Sequence, residues 1–480
     1  MGAGVSVVTQ EDIRLLPQYA LLGGDSKYEE LKAGDDTLDL TEIEDPYLKY
    51  GGEYSSDKKN TKDFKYITFR EYPAFFNHKS MMAAVLSPDL FAELKDIVTE
   101  KGYTLSNAIM TGVVNPNLLV GCTAGCEDSW EKFKDLFYPI VKKLHGGYDA
   151  NTQKHPTDLN PENIRFSDTE LETFNEYVVS TKIRAVRNFS NFALPAGAKG
   201  EDRTQPEFIM RQVFTSWEGT ELSGKYYSME TLSKADKSFL SSRGFLFNKP
   251  SAKSVLTGSG CCRSWPLNRG VFHNEDHTAL IWVNEEDHVR MISMEIGGNV
   301  LSVFRRFCEI SNSILTIAEK NLTKYMHNEI LGFLGTCPSN VGTGLKITLQ
   351  LKLQGMAKLI EDNVQPGFDM IHKVCKKYGL TATSATNDNT VFNVSNNQKI
   401  GISEVALVQL MINGVGKLIE VEKRIISGLD IGTIEGAYEL EDDKDCEEVM
   451  VVNIKGEISG VSDDDDLVTQ EQDPPQEATE

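Results

Sequence analysis

No apolar run in this 480-residue chain approaches the ~20 residues that cross a bilayer as a helix, and no charged-then-apolar leader opens it. Neither a membrane span nor export is expected, and the setting read from the sequence is cytoplasmic. Cysteine is sparse and poorly spaced for metal. The eight, at positions 122, 126, 261, 262, 308, 337, 375 and 446, include no CxxC pair and no flanking histidines at zinc spacing. They read as reduced thiols, and no metal is expected. Positive charge is short too: 49 basic residues against 71 acidic leave −22, which argues against nucleic acid as a partner. Also missing are the G-x-x-x-x-G-K-[ST] phosphate loop, a G-x-G-x-x-G at a strand-to-helix junction, the G-x-S-x-G elbow and the H-R-D and D-F-G set.

What remains is an ordinary globular composition, 40% hydrophobic and 25% charged, long enough for two or three domains. The acidity is uneven. Between Ala437 and Glu480 lie 16 acidic and 2 basic residues, so −14 of the −22 falls there, and residues 437–480 read as an acidic disordered tail. Residues 1–78 read as a polar amino-terminal extension. Its MGAGVS fits M-G-x-x-x-[ST], which makes Gly2 a myristoylation candidate as well as part of a plain flexible terminus. One acyl chain without a polybasic patch binds membranes only weakly. Residues 79–165 read as helical. Ser87 precedes Pro88 as an N-cap for SPDLFAELKDIVTEKG, with apolar residues through Val98. SWEKFKDLFYPIVKKLHGG is amphipathic up to Gly146 and Gly147, and NAIMTGVVNPN between them reads as a turn-rich loop. From 166 to 436, strands such as YVVSTKIRAVRNF and GLKITLQLKL cluster with long amphipathic helices, which predicts an α+β domain.

In GFLGTCPSNVGTGLK, residues 332–346, one cysteine precedes a proline and three closely spaced glycines. Cys337 reads three ways: a small buried residue, a nucleophile, or a thiolate that helps bind a cation. In WVNEEDHVRMISM, strand alternation would put Glu286, His288 and Arg290 on one side and Glu285 and Asp287 on the other. A carboxylate beside an arginine can stay ionised and act as a base or hold a cation, although a solvated turn of charges has the same pattern. VVSTKIRAVRN sets Lys182 and Arg184 on one strand face. With Arg263, Arg269, Arg290 and Lys346 they would clamp phosphate if the fold gathers them. His273 in RGVFHN reads as a stacking or donor residue, or as a structural histidine.

In this order, TGVVNPN, DLFYPIVKKLHGGY, STKIRAVR, CCRSWPLNRGVFHN, IWVNEEDHVRMISMEIGG, LGFLGTCPSNVGTGL and VFNVSNNQKIGISE resemble the phosphagen kinases over about residues 80–428. CPSNVGTG resembles the family signature C-P-[ST]-N-[LIV]-G-T-G, and arginine kinase is the member the chain looks most like. The resemblance implies a small all-helical amino-terminal domain, then a larger domain with an antiparallel sheet flanked by helices. It implies reversible, in-line transfer of the γ-phosphoryl of MgATP to a guanidino substrate, arginine first, with MgADP as the other nucleotide. No covalent intermediate forms, so positioning and charge neutralisation carry the rate. Glu286 would bind the guanidinium and act as base. Cys337 would be the thiolate beside it, its pKa lowered by neighbours such as Ser339. Thr111, Gly112 and Val113 would lie in the substrate-specificity loop, and His273 against the adenine. Ser180, Lys182, Arg184, Arg290 and Lys346 would surround the nucleotide. MGAGVS resembles the start of acylated arginine kinases of ciliates, which implies a ciliary or membrane-associated pool.

The chain departs from the family pattern on the nucleotide side. Active members carry arginine at Lys182 and Lys346, and lysine lacks the bidentate fork. A further phosphate arginine aligns near Thr386, and an aspartate near the ribose aligns with Asn393. Two readings follow: a guanidino kinase with a weakened hold on nucleotide, or a binding or structural protein on a kinase fold, with the extension and tail open to a protein partner.

Overall fold

Short capped helices open the structure, a computed structural model that describes residues 69–428 except 71, 74, 76, 77, 251–253, 363–367, 386 and 387. Gly2, Thr386, nearly all of the 1–78 extension and the acidic tail therefore lie outside the described residues. Ser80 and Ser87 each accept the N–H three residues on, at 3.2 and 3.1 Å, and start α1 (Met81–Val85) and α2 (Pro88–Leu94). α2 stops short of the expected Val98, because Thr99 turns the chain: its N–H donates to the Tyr103 carbonyl and its hydroxyl accepts from the Tyr103 N–H. NAIMTGVVNPN is mostly helix rather than loop. Thr104 and Asn107 cap each other reciprocally, and α3 (Leu105–Val114) runs on until Asn115-Pro116 ends it. α4 (Ser129–Lys132) and α5 (Lys134–Leu144) divide the expected single helix at Phe133.

After α6 (Asp168–Tyr177) comes β1 (Val178–Arg187). There follow α7 (Thr204–Ser216), β2 (Gly224–Ser228), α8 (Lys234–Ser242), α9 (Val255–Ser259), β3 (Gly270–Asn274), β4 (Ala279–Val283) and β5 (Val289–Ile296). Then come α10 (Val300–Lys320), the two-residue strands β6 (His327–Asn328) and β7 (Gly332–Phe333), and β8 (Lys346–Lys352). α11 (Gln354–Glu361), α12 (Phe368–Lys377), β9 (Leu380–Ser384), β10 (Val391–Asn396) and α13 (Glu404–Ile426) complete the chain. Eight strands form one sheet in the order β2-β3-β4-β5-β1-β8-β10-β9, and every neighbouring pair is antiparallel. A helical region followed by an α+β domain is what the sequence predicted.

Strand alternation divides this sheet. Ile183, Ala185, Ile347, Leu349, Leu351, Phe392 and Val394 face a core shared with α10 and α13. Each isoleucine, leucine, valine or phenylalanine among them gains about 1.5–3 kcal/mol by burial, which fixes the register. The intervening Ser180, Lys182, Arg184, Lys346, Thr348, Gln350, Asn393 and Ser395 are left half-buried on the opposite face. A second core joins the helical region, from Phe69 to Ala150, to Leu194, Met326, Leu331, Leu334, Val341 and Ile400. The helical region thus completes its core with residues flanking Cys337. A third cluster, with Tyr227, Phe245, Phe247, Trp282 and Ile292, covers the β2–β5 end of the polar face.

Candidate active site

The register brings the cations together. Arg184 stands opposite Lys346 on β8 and Ile292 on β5, Lys182 opposite Thr348 and Met294, and Arg290 opposite Val186 and Trp282. Directly paired residues share a face, so Lys182, Arg184, Arg290 and Lys346 lie on one side of the sheet. Arg184, Arg290, Lys346 and Lys399 line a small cleft with Asn340 and Gly344. Further along the same face the Ser180 hydroxyl donates to Gln350 Oε1 at 2.8 Å, and Asn393 pairs with Gln350. Arg263 and Arg269 do not join this set. Arg263 donates to the Ala196 carbonyl at 2.7 Å, and the fully buried Arg269 donates to the carbonyls of Cys261 and Arg263, at 2.6 and 3.0 Å. The irregular backbone before β3 turns its carbonyls inward, and these arginines satisfy them.

The acidic cluster is a turn, not a continued strand. Asn284 adopts φ 57°, its N–H donates to the His288 carbonyl, and its side chain donates to Arg203 and Asn268 carbonyls. Two residues predicted to face apart therefore meet one cation: Arg290 Nη2 lies 3.0 Å from Glu285 and 3.4 Å from Glu286. His288 points away into the interior, where it accepts from the Phe189 N–H and bonds the Ala193 carbonyl. Asp287 accepts from Asn188 and from the Thr336 N–H, both at 2.8 Å. The Thr336 hydroxyl donates to the Glu286 carbonyl at 2.7 Å, which ties the acidic turn to the Cys337 loop.

Glycine shapes that loop. Gly342 adopts φ +86°, and a Cβ there would sit 2.2 Å from the Lys399 carbonyl. Cys337 is buried beside Glu286, and the Ser339 hydroxyl lies 3.1 Å from its sulfur. The expected lowering of its pKa is not found. Burial pushes the thiol up to about 12, Glu286 pushes the same way, and Ser339 offsets this only in part. With no cation between them, a thiolate and the carboxylate would repel.

His273 stacks on Tyr227 at 5.4 Å and lies within 5.6 Å of the Phe239, Phe245 and His277 rings, on the same sheet face as the cations. Its Nδ1 bonds the Asn274 carbonyl at 2.9 Å, and burial lowers its pKa. Thr111, Gly112 and Val113 are buried in the last turn of α3. The Thr111 hydroxyl donates to the Val255 carbonyl at 3.1 Å, and a Cβ on Gly112 would meet the Gly121 carbonyl at 2.3 Å. Among the described residues no group of three histidines, cysteines or carboxylates could hold a metal, and no helix is long and apolar enough to cross a membrane.

Two family models match the chain: the ATP:guanido phosphotransferase N-terminal domain at residues 76–142 and the C-terminal catalytic domain at residues 206–425. Creatine kinase M-type of Rattus norvegicus is 39% identical over 390 residues, covering 80% of this chain and 98% of that protein. The chain belongs to the phosphagen kinase family. Creatine kinase B-type of Gallus gallus is also 39% identical, over 380 residues, 78% of this chain and 97% of that protein. The crystal structure of lombricine kinase superposes with a TM-score of 0.68 at 32% identity, over 75% of this chain and 96% of that one. The duplicated taurocyamine kinase of Schistosoma mansoni gives 0.64 at 28%, over 72% of this chain and 47% of that one.

In this phosphagen kinase two residues of the site were not singled out from the sequence. Lys399 lines the cation cleft, and its Nζ donates to the Ser339 carbonyl and to Asn340 Oδ1, at 3.1 and 3.0 Å. Its signal was its place in VFNVSNNQKIGISE. His145, ahead of two helix-stopping glycines, reaches the Pro338 carbonyl at 2.9 Å. A histidine at a helix end gives no sequence sign of a partner 193 residues away.

Proposed function

We propose that this phosphagen kinase reversibly transfers the γ-phosphoryl of MgATP to a guanidino substrate, with arginine as the first candidate. The observation that carries the reading is the convergence of Arg184, Arg290 and Lys346 on one cleft beside Glu286 and Cys337. Lys182, on the same face, and Ser180 extend the polar lining, and His273 offers its ring to the base of the nucleotide. MgATP enters as substrate, its metal on the phosphates. The cations offset the charge of the phosphoryl group in transit. The oxygen–phosphorus bond to ADP breaks as a nitrogen–phosphorus bond forms, and Glu286 takes the proton from the attacking nitrogen. A guanidinium between Glu286 and Cys337 reverses the electrostatics around the thiol. It favours the thiolate, so Cys337 loses its proton as substrate binds. Thr111, Gly112 and Val113 bound the acceptor side through the packing of α3 on α9.

The choice of arginine rests on the sequence resemblance. The relatives named above act on creatine, lombricine and taurocyamine, so all four belong in the substrate panel. The pool is cytoplasmic, and acylated Gly2 would add weak membrane or ciliary attachment. The test is calorimetric titration with MgADP, then arginine and nitrate as a planar phosphoryl mimic. Mutually tightened binding supports the reading. No nucleotide binding at millimolar concentration would overturn it and leave a binding or structural role for the fold.

A further inference from the structure

The carbonyls of the Cys337 loop are satisfied from two directions. The Cys337 carbonyl accepts from the Asn340 N–H at 3.0 Å and the Ser339 carbonyl from Lys399 Nζ at 3.1 Å, both within the catalytic domain. The carbonyls on either side of Cys337 go to the helical domain. Thr336 accepts from the Ala124 N–H at 2.8 Å, and Pro338 from His145 Nε2 at 2.9 Å. His145 caps the end of α5, its own N–H on the Val141 carbonyl. Its ring is buried, and Nδ1 has no hydrogen-bond partner in the protein. The Pro338 carbonyl therefore sets the tautomer, with the ring proton on Nε2. Burial lowers its pKa to about 4, so the ring stays neutral near pH 7. Leu334 and Val341, on either flank of the loop, pack into the same core as α5.

We propose that His145 is a positioning residue for the acceptor side of the site: through the Pro338 carbonyl it fixes the loop that aims Cys337 toward Glu286. The helical domain thereby takes part in holding the guanidino group. The inference rests on the reading of Glu286 and Cys337 as the acceptor subsite. Its scope is the acceptor, not the nucleotide, because the carbonyl that His145 holds belongs to the residue next to Cys337.

Three variants of the full-length protein separate positioning from packing. His145→Gln carries an amide donor near the place of Nε2, His145→Asn holds the same donor one bond short, and His145→Phe keeps a ring without a donor. The readouts are KM and kcat with arginine and the other guanidino compounds, MgADP affinity by calorimetry, and the rate at which iodoacetamide alkylates Cys337, followed by mass spectrometry. Losing one hydrogen bond of ordinary strength predicts a rise of about tenfold in guanidino KM and in Cys337 alkylation for Phe and Asn, with MgADP affinity unchanged. Gln should bring both back to within about threefold of wild type. Unchanged KM and alkylation in Phe and Asn would overturn the proposal, as would a Gln variant no better than Asn. If Phe fails to fold, the Gln–Asn pair, which differs in reach alone, decides. Alkylation and MgADP binding need no turnover, so a failure of positioning is distinguishable from a failure of the kinase reading.

Discussion

Glu286→Gln separates the proposed role of Glu286 as proton acceptor from the scaffold that holds it. The amide is isosteric and its oxygen can still accept from Arg290 Nη2, now 3.4 Å from the carboxylate, while Glu285 keeps its charge 3.0 Å from the same nitrogen. Arg290 therefore remains compensated, and the melting temperature should stay within about 3 °C of wild type. The chemistry should not survive. Loss of the base costs about 10²- to 10⁴-fold in turnover. Loss of a charge-assisted contact to the guanidinium, about 1.5–3 kcal/mol, weakens acceptor binding a further ~10- to 100-fold. Cys337 gives an independent sign. Glu286 helps hold the thiol at about 12, so a neutral residue lets that pKa fall and the thiolate fraction at fixed pH rise. Alkylation of Cys337 by iodoacetamide should then be faster in the variant. The assays are coupled initial rates in both directions, calorimetric MgADP binding and mass-resolved alkylation. Turnover unchanged in a folded variant that still binds MgADP would refute the role of Glu286, and unchanged alkylation would refute its electrostatic reach to Cys337.

Lys182→Arg and Lys346→Arg should each tighten MgATP binding or raise turnover several-fold, roughly the ~1 kcal/mol that a second forked donor adds, with Lys346 the larger because it stands opposite Arg184 in the cleft; calorimetry and initial rates check this, and flat responses would remove both from the phosphate site. Deleting residues 437–480 removes 16 acidic and 2 basic residues and should leave the melting temperature within about 3 °C, since such a segment buries little apolar surface; a larger drop would make the tail part of the fold. His288 is buried neutral, with its pKa lowered to about 4 mainly by burial. Its folded pKa lies below the unfolded value of about 6.5, so its contribution is complete above that pH and is lost as pH falls toward 4. The stability gap between wild type and His288→Asn in urea should narrow by about 1.5 kcal/mol from pH 6.5 to 5, and a constant gap would mean the ring is not held neutral.

Period-two alternation was enough to place β1 and β8 and to say that Lys182 and Arg184 share a face, because the apolar partners Ile183, Ile347 and Leu349 admit one register. The same rule misled at Glu285–His288. Alternation presumes extended backbone, and Asn284 breaks it with a left-handed conformation that a single polar residue does not announce. The loop expected at NAIMTGVVNPN is helix because the Thr104–Asn107 box starts it earlier than the turn residues at its end implied. The pKa of Cys337 could not be read from its neighbours in sequence, since it is raised first by burial in the folded loop and then by a carboxylate that arrives from the β4–β5 turn. Arg269 and Arg263 looked equal to Arg184 by residue type. Only the fold shows that inward carbonyls had already claimed them.

The two halves of the site are held by different means, and this bears on how it tolerates change. The cations stand on adjacent strands of one sheet, so replacing arginine by lysine at 182 and 346 alters reach and fork geometry and leaves the scaffold alone. Glu286 and Cys337 stand on turns that support one another: Asp287 holds the Thr336 N–H, Thr336 holds the Glu286 carbonyl, and Ala124 and His145 hold the carbonyls flanking the cysteine. A disturbance there moves carboxylate and thiol together, and each depends on the other through their charges. Substitutions among the sheet cations should therefore act one contact at a time and nearly additively, while those in the Glu286 and Cys337 turns should be strongly coupled. A double-mutant cycle between Lys346→Arg and Lys182→Arg should close within about 0.5 kcal/mol, and one between Glu286→Gln and Thr336→Val should not. Equal coupling in both cycles would mean that sheet and turns respond as one body.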